Sequence, residues 1–374
     1  VDLELSDEQK LLADTVNGLL EKRYDPNARL ALVQSEDGWS RELWRQYAEL
    51  GLLGLTFDEQ YGGSGMGIDE LAVVMECFGR ALILEPYFAS VVLGGGLVAV
   101  AGSPEQKAAL LPGVAAGETL LAFGYAEPGS RWSLEDIAAT ATPAGDGWTV
   151  SGEKIAVVGG DRADHLIVTA RTPDGQLGLF LISASADGVR RDGYTIQDGQ
   201  RGADILLSSA PAAQLGGIDT ALAAAESVID TATAALCAEA VGTMDRMLWL
   251  TVDYLKTRVQ FGHPIAIFQT LQHRAADMYV SLEQARSMAL LARLAVRDHV
   301  AERRNLVRAA KLQIDISARH VGQEAVQLHG GIGMTMEYPV GHYLKRTTVI
   351  ARTFADADQL TELVGAAGGL VPPG

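Results

Sequence analysis

RVQFGHPIAIFQT, residues 258–270, interrupts what otherwise reads as continuous helix. Tyr254 and Leu255 lead into it on a helical pattern, and Leu271 to Val280 resume that pattern beyond it. A helix end needs little more than a glycine or an asparagine. This one carries an arginine, a Phe-Gly corner, a proline and a Phe-Gln pair. An arginine beside a helix end ordinarily caps carbonyls; its alternative is to anchor a phosphate through charge-assisted bonds. QLHGGIGMT, residues 327–335, has a similar double reading. Its Gly-Gly pair follows a helix and serves first as a C-cap. Otherwise its bare amides, with Gln327, admit a polar ligand to close range.

Outward from these segments the chain divides by texture. Ser6 with Gln9 predicts a capping box on a helix carrying Leu11, Leu12, Val16, Leu19 and Leu20. A second helix follows Ser40, with Leu43, Trp44, Tyr47 and Leu50 on one face, and stops at Gly51. Ser103-Pro104-Glu105-Gln106 starts another that ends near Gly113 to Gly117. From about Leu120 to Leu215 the helical period vanishes. WTVSG, KIAVV, HLIVTAR and LGLFLIS alternate with turn segments, which is the pattern of a β domain. From about Ile218 to Val364 long helices return. One is predicted over Arg274 to His299, with Met278, Leu282, Ala285, Ala289, Ala292 and Val296 as its packed stripe. The expected architecture is α+β and multidomain: an N-terminal helical domain (1–118), a middle β-barrel or sandwich domain (119–216) and a C-terminal four-helix bundle (217–374).

Composition narrows the function classes. A chain of 374 residues exceeds what one core usually supports, and 48% hydrophobic with 21% charged residues excludes a disordered chain. A net charge of −17 argues against nucleic acid or anionic lipid as partner. VDLELSDEQK has no basic segment ahead of an apolar core and does not read as a signal peptide. Residues 86–102 are uncharged but short of the roughly 20 residues a membrane span needs, so a buried core helix is expected. Cys77 and Cys237 lack metal-type spacing and are expected as buried, reduced thiols in a cytoplasmic protein.

Taken in order, Arg258-x-x-Phe261-Gly262, Phe268-Gln269, Gln327-x-x-Gly330-Gly331-x-Gly333 and Glu337-Tyr338-Pro339 resemble the acyl-CoA dehydrogenase family. WRQYAELGLLGLTFDEQYGGSG (44–65) is similar to its amino-terminal helical domain, and AEPGS with SGEKIAVVGG to its middle β domain. The resemblance implies FAD as cofactor and dehydrogenation across Cα–Cβ of an acyl-CoA. A carboxylate takes the α-proton, and an electron-transfer flavoprotein takes the electrons. It also implies that Arg258, Phe261, Gln269, Gln327, Gly330 and Gly331 touch the FAD of a neighbouring subunit.

The sequence departs from the family at the base. Ala355 and Ala357, in TFADADQL (353–360), stand where the family's carboxy-terminal Glu-Gly-Thr has its glutamate and threonine. At the alternative position, on the helix ending at Arg258, stand Ala232 and Thr233. Asp356 and Asp230 lie one and two residues off these positions. One residue on a helix is a rotation of roughly 100°, and a misplacement on the order of 1 Å can cost about a hundredfold in rate. The flavin-facing β motifs depart too. Ala126-Glu127-Pro128-Gly129-Ser130-Arg131-Trp132 replaces a Thr-Glu-Pro-Gly-x-Gly-Ser-Asp pattern, and Lys154-Ile155-Ala156-Val157-Val158 replaces Lys-x-Trp-Ile-Thr. The resemblance therefore implies a non-catalytic subunit of a heterotetrameric α2β2 enzyme of the steroid side-chain type. It shares FAD with a homologous partner that carries the glutamate. Two alternatives are a homotetramer with Asp356 or Asp230 as base, and a redox-inactive scaffold.

Overall fold

The computed structural model describes residues 5–369 except Arg131, with Pro26 described by its backbone alone. Arg131 of the Ala126–Trp132 motif, the first four residues of VDLELSDEQK and the last residues of the C-terminal domain therefore lie outside the described residues. In chain order the first helices are α1 (Asp7–Arg23), α2 (Pro26–Gln34), α3 (Arg41–Glu49), α4 (Ile68–Ala81), α5 (Gly96–Ala101) and α6 (Pro104–Ala115). Seven strands follow: β1 (Leu121–Gly124), β2 (Thr140–Ala144), β3 (Gly147–Val158), β4 (His165–Arg171), β5 (Leu177–Ser183), β6 (Val189–Thr195) and β7 (Arg201–Gln214). Then come α7 (Ile218–Thr257), the short strands β8 (Val259–Gln260) and β9 (His263–Pro264), α8 (Gln269–Arg297), α9 (Arg303–His329), α10 (Val340–Ile350) and α11 (Ala357–Ala366). The order is the expected helices, β domain, helices. The chain folds into two compact units: 32–67 with 84–232, and 1–31 with 68–83 and 233–374.

The first of these units holds the β domain. Its sheet runs β1-β4-β2-β3-β7-β5, and further pairing of β5 with β4 closes the ring, with β6 on β7. WTVSG and KIAVV, expected as separate strands, are one strand, β3, because pairing with β7 runs unbroken from Gly152 through Glu153 to Lys154; a bulge follows inside KIAVV, between Lys154 and Val157. Ala156 sits at that bulge with φ of +53°. Inside the ring Val150, Leu166, Val168, Phe180, Ile182 and Ile205 form a closed apolar core. Ser40 accepts the Leu43 amide as predicted, and Leu43, Trp44 and Tyr47 are buried. Leu50 is half exposed instead, because α3 stops at Glu49 and the chain turns at Gly51. The uncharged stretch near residue 90 is buried, as expected, but begins as a π-helix over Phe88–Gly95.

In the other unit both halves of the Ser6–Gln9 capping box form. α8 begins at Gln269, five residues before its predicted start, because the 3₁₀ turn Ile265–Ile267 re-launches the helix immediately. Among the described residues α7 is long and apolar enough to cross a membrane, yet 67% of its apolar window is buried inside the protein.

What fixes this unit is the crossing of α4 over α7 at two glycines. A Cβ on Gly79 would lie 2.0 Å from the Glu239 carbonyl oxygen, and one on Gly242 would lie 2.0 Å from that of Glu76. The backbones therefore touch. Thr243 Oγ1 donates to the Gly79 carbonyl at 3.3 Å, and Tyr343 Oη donates to that of Arg80 at 2.6 Å. Beneath the crossing, Arg346 of α10 grips Glu239 of α7 with Nε–Oε1 at 2.5 Å and Nη2–Oε2 at 2.7 Å, both side chains buried. Replacing Gly79 by alanine should lower the unfolding free energy by about 3 kcal/mol, the upper end for overpacking, since backbone rather than a side chain must move. Chemical denaturation reads this directly; a change below about 1 kcal/mol would contradict so close a crossing.

Candidate functional site

The break at 258–270 is a β-hairpin between two helices. The Arg258 amide donates to the Tyr254 carbonyl at 2.8 Å, closing α7, and the Ile265 amide returns to the Arg258 carbonyl at 2.8 Å. Between them β8 and β9 pair with Gln260 opposite His263. Phe261 and Gly262 form the two-residue turn with φ of +54° and +82°. That turn suits Asn-Gly or Gly-Gly. A phenylalanine there is strained by roughly 1–2 kcal/mol, and its ring is 88% exposed, touched edge-on by Phe268 at 6.1 Å. A strained backbone carrying an exposed aromatic ring is the kind of outlier that marks a functional position.

Arg258, Gln269 and Gln327 all lie on the surface, and none of their side chains makes a hydrogen bond among the described residues. At Gly330 (φ +66°) and at Gly331, a Cβ would meet nothing within 4 Å. On the side a Cβ would occupy, the glycines are therefore not packed against the protein itself, while the Gly330 amide closes α9 by donating to the Gln327 and Val326 carbonyls.

A group that sequence reading overlooked ties the hairpin to this glycine turn. His329, the last residue of α9, is buried. Its ring lies 4.5 Å from that of Tyr254, at the end of α7, and 4.8 Å from that of Tyr338. Tyr254 and Tyr338 meet edge-on at 6.2 Å. His329 Nδ1 is 2.7 Å from the Ala325 carbonyl and Nε2 is 3.1 Å from Tyr338 Oη. A carbonyl only accepts, so Nδ1 carries the proton and the phenol donates to Nε2 of a neutral ring. The only signal in the sequence is that His329 touches the Gly-Gly pair; its partners are distant along the chain.

The positions at which the resemblance puts a base are methyl groups in the core: Ala232 and Ala355 are both buried. Asp356 is occupied as the N-cap of α11. One oxygen accepts the Gln359 amide at 3.0 Å and the other pairs with Arg352 Nη1 at 3.2 Å. Asp230 is buried and engaged within the fold. In the β domain, Lys154 Nζ donates to Glu127 Oε1 at 2.5 Å and to Thr169 Oγ1 at 2.9 Å. Glu127 also accepts the Ala138 and Ala139 amides. The lysine is fully enclosed, and burial pulls its pKa down to about 8. The charged residues of these two motifs therefore serve each other. Ala156, at the position of the expected tryptophan, presents only an exposed methyl.

A cavity of about 510 Å³ lies among α1, α4, α7 and α8, lined in part by Arg80, Arg286 and Arg293. Each arginine already has a carboxylate: Arg80 and Arg286 share Glu76 and Asp245, and Arg293 pairs with Asp69. The cavity is thus electrostatically balanced rather than anion-seeking.

Three family profiles cover most of the chain: acyl-CoA dehydrogenase N-terminal domain over residues 6–118, middle domain over 122–207 and C-terminal domain over 222–354. The chain belongs to the acyl-CoA dehydrogenase family. Acyl-CoA dehydrogenase IpdE2 of Mycolicibacterium smegmatis is 33% identical over 344 residues, which is 91% of this chain and 93% of that protein. The solved structure of a Tcur3481–Tcur3483 steroid ACAD variant matches at TM-score 0.88 and 32% identity, covering 96% of this chain and 97% of that one. The ChsE4–ChsE5 complex from Mycobacterium tuberculosis matches at TM-score 0.89 and 25% identity over 100% of both chains. Members of the acyl-CoA dehydrogenase family are FAD-binding oxidoreductases acting on acyl-CoA.

Two outcomes follow from this geometry. Phe261→Asn should stabilise the free chain by about 1 kcal/mol, by relieving the left-handed strain; an unchanged or lowered melting temperature would argue against strain. Burial pushes the His329 pKa below its ordinary value of 6.5. The folded state then resists protonation more than the unfolded one. His329 contributes stability that is present above about pH 6.5 and lost as the pH falls through its folded value. Its imidazole resonances should titrate below 6.5, and a midpoint at or above that value would remove the argument.

Proposed function

We propose that this chain is the non-catalytic subunit of a heteromeric α2β2 acyl-CoA dehydrogenase. It completes the FAD site of a homologous partner that carries the catalytic glutamate. The observation that carries the reading is the contrast between two sets of positions. Arg258, Gln269 and Gln327 are exposed, with no side-chain hydrogen bond among the described residues, and a Cβ at Gly330 or Gly331 would meet open space. Ala232 and Ala355, where a base would stand, are buried methyls.

The outward set suits FAD. Arg258 offers a guanidinium to a phosphate, Gln269 and Gln327 offer amides, and a Cβ at Gly330 or Gly331 would fill the space a ligand needs. Phe261 offers an apolar ring face. The inward set does not suit a flavin of this chain's own. Ala126, Ala156 and Val158 supply no hydroxyl and no aromatic shield, so polar flavin edges would lose hydrogen bonds there. When bound, FAD accepts the hydride of the α,β-desaturation. The α-proton needs a carboxylate, because a thioester α-carbon is only weakly acidic. In this reading the carboxylate and the acyl-CoA pocket belong to the partner.

The heteromeric neighbours support the assembly, and the steroid ACAD among them makes a steroid side-chain CoA ester the candidate substrate. An electron-transfer flavoprotein would take the electrons, in the cytoplasm. A homotetramer with Asp356 as base is disfavoured, because both oxygens of that carboxylate are already engaged.

Purified alone, the chain should be flavin-poor and inactive, while co-production with its partner should give a complex with about one FAD per pair of chains. Gly331→Ala, which meets no neighbour in the free chain, should leave stability within about 0.5 kcal/mol and reduce FAD retention by the complex. Full flavin occupancy with turnover in the lone chain would refute the proposal.

A further inference from the structure

We infer that His329 is a positioning residue that locks the Arg258 hairpin and the Gly330–Gly331 turn into one preformed edge. The inference rests on the proposed function for what that edge holds, but the lock itself is a property of this chain alone.

Tyr254 precedes Arg258 by one helical turn, and its carbonyl accepts the Arg258 amide. His329 lies directly before Gly330 and two residues after Gln327. Tyr338 closes the segment that follows the glycines. Each member of the triangle is therefore joined through a few bonds of backbone to a different part of the candidate edge. Among the described residues no hydrogen bond or ring contact joins residues 258–268 directly to residues 330–338.

The two segments need such a lock. Gly330 adopts φ +66° and ψ −142°, a conformation open essentially to glycine alone. With Gly331 unpacked beside it, the turn loses much conformational entropy when it is ordered. The hairpin is only two residue pairs long, below what is stable by itself. Both derive order from the ring between them. His329 uses both nitrogens, one on the Ala325 carbonyl of its own helix and one on the Tyr338 hydroxyl. Its face rests on Tyr254. The Leu250 carbonyl of α7 also faces the imidazole, and Arg246 and Asp253 of the same helix face Tyr338. A phenylalanine in place of His329 would keep the ring contact and lose the fixed orientation.

Hydrogen–deuterium exchange on the purified chain tests the lock. In His329→Phe, and separately in Tyr338→Phe, amides of 258–268 and of 330–338 should both exchange about tenfold faster, the effect of losing one buried hydrogen bond. Exchange within 307–318, in the middle of α9, should stay as in the wild type. The double variant should add little to His329→Phe, because that change already removes the bond that Tyr338→Phe removes. Acceleration confined to 330–338, or additive effects, would overturn the lock. Tyr338→Phe, which removes one oxygen, keeps the test valid should His329→Phe fold poorly. FAD retained by the complex with the partner subunit is the second readout. It should fall in both variants with subunit association intact; unchanged retention alongside coupled loosening would overturn the positioning role. A wild-type complex that holds no FAD would sink the proposed function and leave the exchange result to decide the lock.

Discussion

The close crossing of α4 and α7 is the constraint from which the helical unit takes its shape. Only glycine at both Gly79 and Gly242 lets the two backbones come so near. Backbone contact of this kind has no side-chain slack. It sets the axis of α7, and the buried Glu239–Arg346 pair then sets α10 against it. A buried ion pair of this geometry is not strong evidence for stability in itself, because desolvation offsets much of its attraction. Its value is directional. Two parallel hydrogen bonds define one arrangement of guanidinium and carboxylate, so α10 cannot slide along α7 without stranding a charge. The candidate edge is built at the end of α7 and on the segment before α10, and it inherits that rigidity.

Polar groups in this protein fall into two populations with different physics. Glu127–Lys154, Glu239–Arg346 and Lys311–Asp315 are enclosed, and each charge faces its opposite within 2.5 to 2.6 Å. Burial without those partners would cost several kcal/mol. Arg258, Gln269 and Gln327 are exposed and have no side-chain hydrogen-bond partner among the described residues, so they cost the free chain almost nothing. The first population holds the fold together and is closed to further chemistry. The second is open to a ligand. Family motifs in the β domain contribute to the first population through Glu127 and Lys154, while those in the helical unit contribute to the second.

Much of the fold was legible because local signals agreed with the global pattern. The Ser6–Gln9 and Ser103–Gln106 capping boxes appear with both halves formed, and HLIVTAR and LGLFLIS are strands over the same residues. The family was legible for a different reason, the order of motifs along the chain. What escaped were features decided by long-range contact. The pairing that joins WTVSG with KIAVV is made with β7 across the sheet, and no pattern within β3 reveals it. The length of α8 depended on a 3₁₀ turn too short to carry a period. The His329 triangle joins residues 254, 329 and 338, and only the fold brings the first of these to the other two.

The turn at Phe261 shows how a local violation can be informative. Asparagine or glycine would satisfy the hairpin at lower energy, and the phenylalanine ring gains little burial in exchange. Its side chain therefore adds strain to the free chain and almost no packing to it. Gly331 argues in the same direction, since it adds entropy to the unfolded state without letting the protein's own atoms come closer. Both departures lie in segments that also carry the exposed side chains of Arg258, Gln269 and Gln327. A surface so prepared is rigid where the aromatic triangle holds it and bare where the glycines lie, and the ordering cost is met on folding rather than on association.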